Sequence, residues 1–173
     1  GLVFSGQMAL FFAVFFHKKN GVIFLKFSDL NINEGLKAAI SRKGFETPSE
    51  IQEKVIPIAL MGKDLVGKAK TGTGKTAAFG IPLIEKIQPG SGFSALVVVP
   101  TRELAVQVKD EVSSLAHGNG VRVVAVYGGD PINRQIRLLE REPEIIVGTP
   151  GRILDLLERE VLSFDTARFL VLD

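Results

Sequence analysis

Strictly alternating apolar runs and amphipathic segments, from residue 28 onward, restrict the fold of this chain more than any other feature. The apolar runs are almost continuous, which is typical of strands buried on both faces. The segments between them carry apolar residues at the spacing of one helix face. Strands that alternate with helices form a parallel sheet covered on both sides. The pattern therefore predicts an α/β domain of three layers, with helices on both faces of a parallel sheet. The predicted strands are 65–67, 95–99, 121–126, 144–147 and 169–172.

Local signals set the ends of the predicted helices. The first helix is predicted over 28–43, with Gly44 in the C-cap role. Residues 47–50, Thr-Pro-Ser-Glu, form a capping box, so a second helix is predicted from there to Leu60, with a kink at Pro57. The remaining helices are predicted over 74–88, 102–116, 131–141 and 151–159.

Composition narrows the possible function classes. Of the 173 residues 46% are apolar and 23% charged, the balance of a globular domain. The absence of cysteine excludes a disulfide framework and a cysteine nucleophile, and two histidines argue against a multi-histidine metal centre. The formal net charge is +2, and residues 1–28 contribute three lysines and no acid. The remaining residues therefore carry a net charge of −1 and offer no broad basic field for nucleic acid. A nucleic-acid partner would need a local site. No apolar run reaches the roughly 18 residues of a bilayer span, so no membrane partner is expected.

Residues 1–24 differ from the rest of the chain. They hold six of the twelve phenylalanines and show neither strand alternation nor a helical period. Their lysines follow the apolar run, unlike those of a secretory signal. We interpret 1–24 as a non-native or disordered leader and Leu25 as the true start, because bacterial genes also start at codons normally read as leucine. The domain is therefore predicted over 25–173, in a bacterial cytoplasm. A poorly formed membrane-targeting segment and a true extension are the alternatives.

The loop after the first predicted strand carries the strongest functional signal. Residues 69–76 read Ala-Lys-Thr-Gly-Thr-Gly-Lys-Thr and lead into a helix. Glycines let consecutive backbone N–H groups turn inward around a phosphate, and the helix adds the positive end of its dipole. Lys75 supplies charge for the β and γ phosphates, and the Thr76 hydroxyl suits Mg²⁺. The pattern predicts a nucleotide-binding loop; a glycine-rich turn that ends in a solvated lysine is the simpler alternative.

Further motifs follow in a recognisable order, and with them the chain resembles the first RecA-like domain of DEAD-box ATP-dependent RNA helicases over residues 27–173. These motifs are the Q motif at 44–52 with the aromatic Phe27 upstream, motif I at 69–76, motif Ia at 100–105, the glycine doublet at 128–129, motif Ib at 149–152, and Val171-Leu172-Asp173 as the start of the motif that names the family. The resemblance implies a RecA-like P-loop NTPase domain that is incomplete at its C-terminus.

The resemblance implies a site for ATP and Mg²⁺. Gln52 is implied to contact adenine, because an amide has both a donor and an acceptor and can select ATP over GTP. On spacing alone, Gln52 is equally compatible with a surface position on an amphipathic helix. The implied catalytic residues are Lys75, Thr76 and Asp173, of which Thr76 and Asp173 would also hold the metal. The residues implied to bind the nucleotide are Phe27, stacked on the base, with Phe45, Gln52, Thr71, Gly72, Thr73, Gly74, Lys75 and Thr76.

The loops after three other strands are implied to hold RNA. Threonine hydroxyls, arginines and helix N-termini favour phosphate oxygens, and such contacts do not depend on base sequence. Helix capping by Thr101 and Thr149 and an ion pair of Arg102 are alternatives that are compatible with RNA contact. The residues implied to bind RNA are Pro100, Thr101, Arg102, Gly128, Gly129, Thr149, Gly151 and Arg152.

Groups that the family uses for hydrolysis are not in this sequence. In the family a water-orienting carboxylate follows the position of Asp173, and arginine fingers come from a second RecA-like domain. We therefore expect the parent to unwind short RNA duplexes with ATP. The present chain is expected to bind ATP and RNA weakly, to hydrolyse ATP near background, and to leave a sheet edge exposed. The competing functions are another kind of P-loop NTPase and a non-catalytic nucleotide- or RNA-binding module.

Overall fold

Helices and strands alternate in the computed structural model, which describes residues 9–11, 26–70 and 72–173. The helices are α1 (Glu34–Arg42), α2 (Glu50–Leu60), α3 (Lys75–Lys86), α4 (Arg102–Ala116), α5 (Ile132–Leu139) and α6 (Pro150–Glu158), and a 3-10 turn spans Phe27–Asp29. The strands are β1 (Ala9–Phe11), β2 (Ala95–Val98), β3 (Val123–Val126), β4 (Ile145–Gly148) and β5 (Phe169–Leu172).

The strands form one parallel sheet in the order β1-β5-β2-β4-β3. Strand β2 lies between β5 and β4, with Val97 opposite both Val171 and Val147. Because all strands run in the same direction, their carboxyl ends meet at one edge of the sheet. The segments that begin at Val99, Tyr127 and Thr149 therefore leave the sheet at the same edge as Asp173.

Alternate strand residues enter two separate cores. Ala95 and Val97 pack in the larger core with residues of α1, α3 and α4, whereas Leu96 packs in the smaller core with residues of α5 and α6. Each buried large aliphatic side chain contributes about 1.5–3 kcal/mol to folding, so both helix layers are anchored to the sheet. The predicted three-layer α/β architecture with helices on both faces is confirmed. Within the described ranges, none of the helices has the length and apolar character to span a bilayer.

The first predicted helix begins later than predicted. It starts after Asn33, whose side-chain oxygen accepts a hydrogen bond from the Leu36 N–H at 2.8 Å. The Asn33 amide also donates to Glu85 at 2.7 Å, which fixes the N-cap against α3. Because an N-cap residue has an extended backbone, the helix cannot continue toward Ser28, and the 3-10 turn precedes it instead.

Two other local predictions differ from the structure. Residues 65–67 do not form the predicted strand, since only Leu65 makes an isolated bridge. A short apolar run becomes a strand only where a neighbour completes its ladder, and residues 66 and 67 have no such pairing among the described strands. Helix α2 ends at Leu60 as predicted, but its N-cap is Ser49, which forms the capping box with Gln52, so the box predicted at 47–50 is wrong. The kink predicted at Pro57, which lies inside the last turn, stays a prediction.

Part of the predicted leader joins the sheet. Residues 9–11 pair in parallel with β5, with Ala9 opposite Phe169 and Phe11 opposite Val171. The edge of β5 that was expected to be exposed is therefore covered over three residues. Residues 1–8 and 12–25 lie outside the described residues, and the assignment of 1–24 as a leader stays a prediction.

Candidate functional site

A cleft of about 800 Å³ opens at the carboxyl edge of the sheet. Its walls come from the segment before α2, from the glycine-rich loop and from the start of α4, and Asp173 lies at its end. The residues predicted to bind nucleotide that line it are Phe45, Gln52, Gly72, Thr73, Gly74, Lys75 and Thr76. Pro100, predicted to bind RNA, also lines this cleft.

Left-handed backbone shapes the glycine-rich loop. Gly72 and Gly74 both have φ near +83°, a conformation that only glycine adopts without strain, and α3 starts directly after Gly74. The Thr73 hydroxyl donates to the Lys70 carbonyl at 2.5 Å and closes the turn. The loop therefore has the curvature and the helix start that a phosphate cradle needs. Thr71 lies outside the described residues.

The Gln52 side chain joins α2 to this loop. It is 5% exposed, so the surface position that spacing alone allowed is excluded. Its Oε1 accepts from the Ser49 N–H at 2.9 Å, and its Nε2 donates to the Gly74 carbonyl at 3.1 Å. A glutamine amide has two donor hydrogens and two acceptor lone pairs, so one of each remains free for a further partner.

Lys75 and Asp173 form an ion pair across the cleft. The Lys75 Nζ contacts the Asp173 Oδ1, and the aspartate side chain is 10% exposed. The carboxylate therefore neutralises the ammonium that was predicted to meet phosphate.

The donors around this ion pair fit a nucleotide-bound magnesium ion. The Thr76 hydroxyl and the Asp173 carboxylate line the same cleft and are hard oxygen ligands. Among the described residues, no three His, Cys, Asp or Glu side chains are grouped to hold a metal. Mg²⁺ usually keeps waters and binds through one or two carboxylates plus phosphates, so these two donors suit it only together with ATP.

Phe27 and Phe45 form a stacked pair beside the cleft. Their ring centroids are 6.1 Å apart at an interplanar angle of 29°. Phe27 is 3% exposed and lines a neighbouring cavity of about 580 Å³, which shares Phe45 and Thr47 with the cleft. The predicted stacking of Phe27 on adenine stays a prediction.

Lysines surround the other side of the loop. Lys54, Lys68 and Lys70 line a cavity of about 630 Å³. The ammonium of Lys54 donates a hydrogen bond to the Glu50 carboxylate, and this bond, with the attraction between the charges, lowers the pKa of that exposed group. One of the three lysines therefore already has an anionic partner.

The segments that follow β2, β3 and β4 contact one another at the carboxyl edge of the sheet. The Arg102 guanidinium lies over the Tyr127 ring at 5.1 Å, and a Cβ on Gly129 would lie 3.4 Å from its Nη1. The Arg152 Nη1 donates to the Asp130 carbonyl at 3.1 Å. The structure therefore brings the glycine doublet together with both arginines that were predicted to bind RNA.

These two arginines lie in the first turns of α4 and α6. The Thr101 hydroxyl accepts from the Leu104 N–H at 3.3 Å, so the predicted capping of α4 by Thr101 is confirmed. Thr149 is the N-cap residue of α6 but makes no side-chain cap bond. Gly128 and Gly151 have no atom within 4 Å of an added Cβ, so there is open space beside the backbone at both positions.

Sequence reasoning missed two residues that connect these loops. Tyr127 supports Arg102, and Gln135 is 1% exposed and hydrogen-bonded to both Tyr127 and Arg152. The available signal for Gln135 was its position on α5, one turn before Leu139 on the apolar side. A glutamine at a core position indicates a specific set of hydrogen-bond partners.

Comparison with known proteins gives consistent relatives. The family model described as DEAD/DEAH box helicase matches residues 49–173. The ATP-dependent RNA helicase CshA of Listeria monocytogenes is 54% identical over 149 residues, which cover 86% of this chain and 29% of that protein. The DEAD-box ATP-dependent RNA helicase CshA of Bacillus subtilis is 48% identical over 150 residues, 86% of this chain and 30% of that protein. The chain thus spans about 30% of the length of these curated relatives.

Solved structures share the fold. A DEAD box protein from the hyperthermophile Methanococcus jannaschii superposes with a TM-score of 0.84 and 44% identity over 88% of this chain and 42% of that one. A hypothetical ATP-dependent RNA helicase from Sulfolobus tokodaii gives a TM-score of 0.75 and 41% identity over 82% of this chain and 41% of that one. At 44% and 41% identity, both likenesses are of sequence as well as of fold.

Proposed function

Because the chain belongs to the DEAD/DEAH box helicase family, we propose that it binds ATP with Mg²⁺ and the sugar-phosphate backbone of RNA. In a longer protein with a second RecA-like domain, it would drive ATP-dependent unwinding of short RNA duplexes in the cytoplasm. The cleft that joins Gln52, the loop 72–76 and Asp173 is the observation that carries this proposal.

The unused half of the Gln52 amide supports selection of adenine. One N–H and one lone pair remain after the bonds to Ser49 and Gly74. The edge of adenine that carries the N6 amino group and N7 offers one donor and one acceptor, which this half-amide complements. Guanine offers two acceptors along the same edge, so one of its contacts would oppose an acceptor on Gln52.

Phosphate binding would rearrange the ion pair at the cleft. The β and γ phosphates compete with Asp173 for the Lys75 ammonium, while the N–H groups of the loop and the start of α3 hold their oxygens. Thr76 and the released Asp173 would then hold Mg²⁺, directly or through water. When bound, Mg²⁺ supplies positive charge to the phosphate oxygens.

We expect Lys75→Ala to weaken ATP binding by about ten- to thirtyfold. A charged hydrogen bond to phosphate contributes about 1.5–3 kcal/mol, and part of that is offset because Lys75 must leave Asp173. Titration of a fluorescent ATP analogue in the presence of Mg²⁺ measures the change. Lys86→Ala, at the opposite end of α3, is the matched control and should bind as the unsubstituted chain does. Equal affinity of Lys75→Ala and the unsubstituted chain would remove the phosphate cradle from the proposal.

Backbone contact with RNA is supported by the convergence of Arg102, Arg152 and the glycine doublet. These groups offer cations and uncrowded glycine backbone, which suit phosphate and sugar oxygens. Phosphates and sugars repeat identically along RNA, so the proposed binding does not depend on base sequence.

We expect Arg102→Ala to weaken single-stranded RNA binding about five- to tenfold and to leave ATP affinity within twofold. The loss of one cation at a phosphate also lowers the salt dependence of binding, by a slope of about 0.7 for single strands. Fluorescence anisotropy with labelled oligouridine and oligoadenosine at several salt concentrations tests both statements. A loss that depends on the base, or an unchanged salt slope, would contradict backbone recognition. Tighter binding of DNA than RNA would favour another kind of P-loop NTPase.

A further inference from the structure

A buried glutamine lies at the centre of the candidate RNA site. Gln135, on α5, is 1% exposed. Its amide exchanges two hydrogen bonds with the backbone of Tyr127: Oε1 accepts from the N–H at 3.2 Å, and Nε2 donates to the carbonyl at 3.0 Å. The same Oε1 accepts from Arg152 Nη1 at 2.8 Å. Gln135 does not line the cleft proposed to bind ATP, so its polar side chain has no part in that site.

Through one side chain, these bonds connect the segment that follows β3 with the segment that follows β4. Tyr127 is the last residue before the glycine doublet, so the amide holds the start of that loop much as a neighbouring strand would. Arg152 is held a second time by the Asp130 carbonyl at 3.1 Å, on the far side of the doublet. The amide and the guanidinium together therefore close a ring around Gly128 and Gly129.

The orientation of Arg152 follows from this ring. Both of its described bonds use Nη1, and a guanidinium has five N–H donors in a rigid plane. Fixing Nη1 therefore fixes the direction in which the remaining donors point. The Tyr127 ring, positioned by the same backbone bonds, supports Arg102 on the other side of the doublet.

We propose that Gln135 is a positioning residue for RNA binding, which sets the glycine doublet and Arg152 in register without touching RNA. The inference rests on the proposed RNA-binding function and adds to it a residue buried beneath the contact surface. Its role predicts that RNA affinity depends on the hydrogen-bonding pattern at this position rather than on its bulk. The residue does not contact the ATP cleft, so ATP affinity should be independent of it.

Two substitutions separate this role from simple packing. Gln135→Leu keeps the volume and removes all three bonds. Gln135→Glu keeps both bonds that the side-chain oxygen accepts, the one from Arg152 then being charge-assisted, but sets a second oxygen against the Tyr127 carbonyl in place of the donated bond. Gln88→Leu, an exposed glutamine beyond α3, is the matched control. Each variant of the whole chain is titrated with labelled oligouridine and, separately, with a fluorescent ATP analogue in Mg²⁺.

We expect Gln135→Leu to lose five- to tenfold in RNA affinity, Gln135→Glu to stay within about twofold, and both to keep ATP affinity within twofold. Gln88→Leu should match the unsubstituted chain in both assays. The inference is overturned if Gln135→Leu binds RNA normally, if it loses ATP and RNA affinity together, or if Gln135→Glu is as impaired as Gln135→Leu. Lack of RNA binding by the unsubstituted chain would instead refute the proposed function, and this inference with it.

Discussion

Gly74→Ala should weaken ATP binding by about a hundredfold, the largest effect on the cleft that we expect from one methyl group. A Cβ at this position would lie 2.2 Å from the Gln52 Nε2, so the amide must leave the Gly74 carbonyl. A residue other than glycine in the left-handed region also costs about 1–2 kcal/mol. With about 1 kcal/mol for the lost hydrogen bond, the sum approaches 3 kcal/mol. Isothermal titration with Mg-ATP measures the loss.

Gly72→Ala provides the matched control for this experiment. Gly72 has the same φ of +83°, but a Cβ there meets no atom within 4 Å. Its substitution therefore carries the backbone strain without the collision, and we expect a loss of about tenfold. The difference between the two variants isolates the contact between Gln52 and the loop. Equal losses in both would mean that strain alone acts and that Gln52 contributes nothing to the shape of the loop.

Glu144→Ala should lower the free energy of unfolding by about 3 kcal/mol. Glu144 is 1% exposed, and its carboxylate accepts from the Gly90 N–H at 2.8 Å and the Arg122 N–H at 2.6 Å. Hydrogen bonds to a charged group contribute about 1.5–3 kcal/mol each, and alanine leaves both N–H groups without that acceptor. For a chain of this size, the loss corresponds to a fall in Tm of about 6–12 °C. Thermal unfolding followed by circular dichroism is the measurement.

Two further variants define the cause of that destabilisation. Glu144→Gln keeps one accepting oxygen, so we expect roughly half of the loss. Glu140→Ala, at an exposed glutamate earlier in the same segment, should change stability by no more than about 0.5 kcal/mol. A Tm for Glu144→Ala within 2 °C of the unsubstituted chain would show that the two N–H groups find other partners.

Long periodic segments made most of the fold predictable. Helix α4 occupies the predicted range 102–116, and the strand 169–172 was also placed correctly, because each carries a full pattern between clear end signals. The errors lie where a distant residue decides the outcome. The N-cap at Asn33 depends on Glu85 of α3, and residues 65–67 depend on a strand neighbour. Pairing of residues 9–11 with β5 is a contact that no local pattern encodes.

The candidate site was predictable as a set of motifs but not as a geometry. The family resemblance marked Gln52 and the glycine-rich loop marked Lys75, and the structure brings both into one cleft. The sequence could not reveal that Lys75 pairs with Asp173, since the two residues are far apart in the chain. Gln135 carries no motif, because its importance comes from partners on two other elements.

Because β2 lies in the middle of the sheet, the residues that follow it belong to both candidate sites. Pro100 forms part of the wall of the cleft, and two residues later Arg102 belongs to the group around Tyr127. A ligand that binds at one site and orders residues 100–102 reduces the conformational entropy that is lost when a ligand binds at the other site. Such coupling is reciprocal by thermodynamic necessity, so affinity for each ligand should rise when the other is present, even with no movement of the helices.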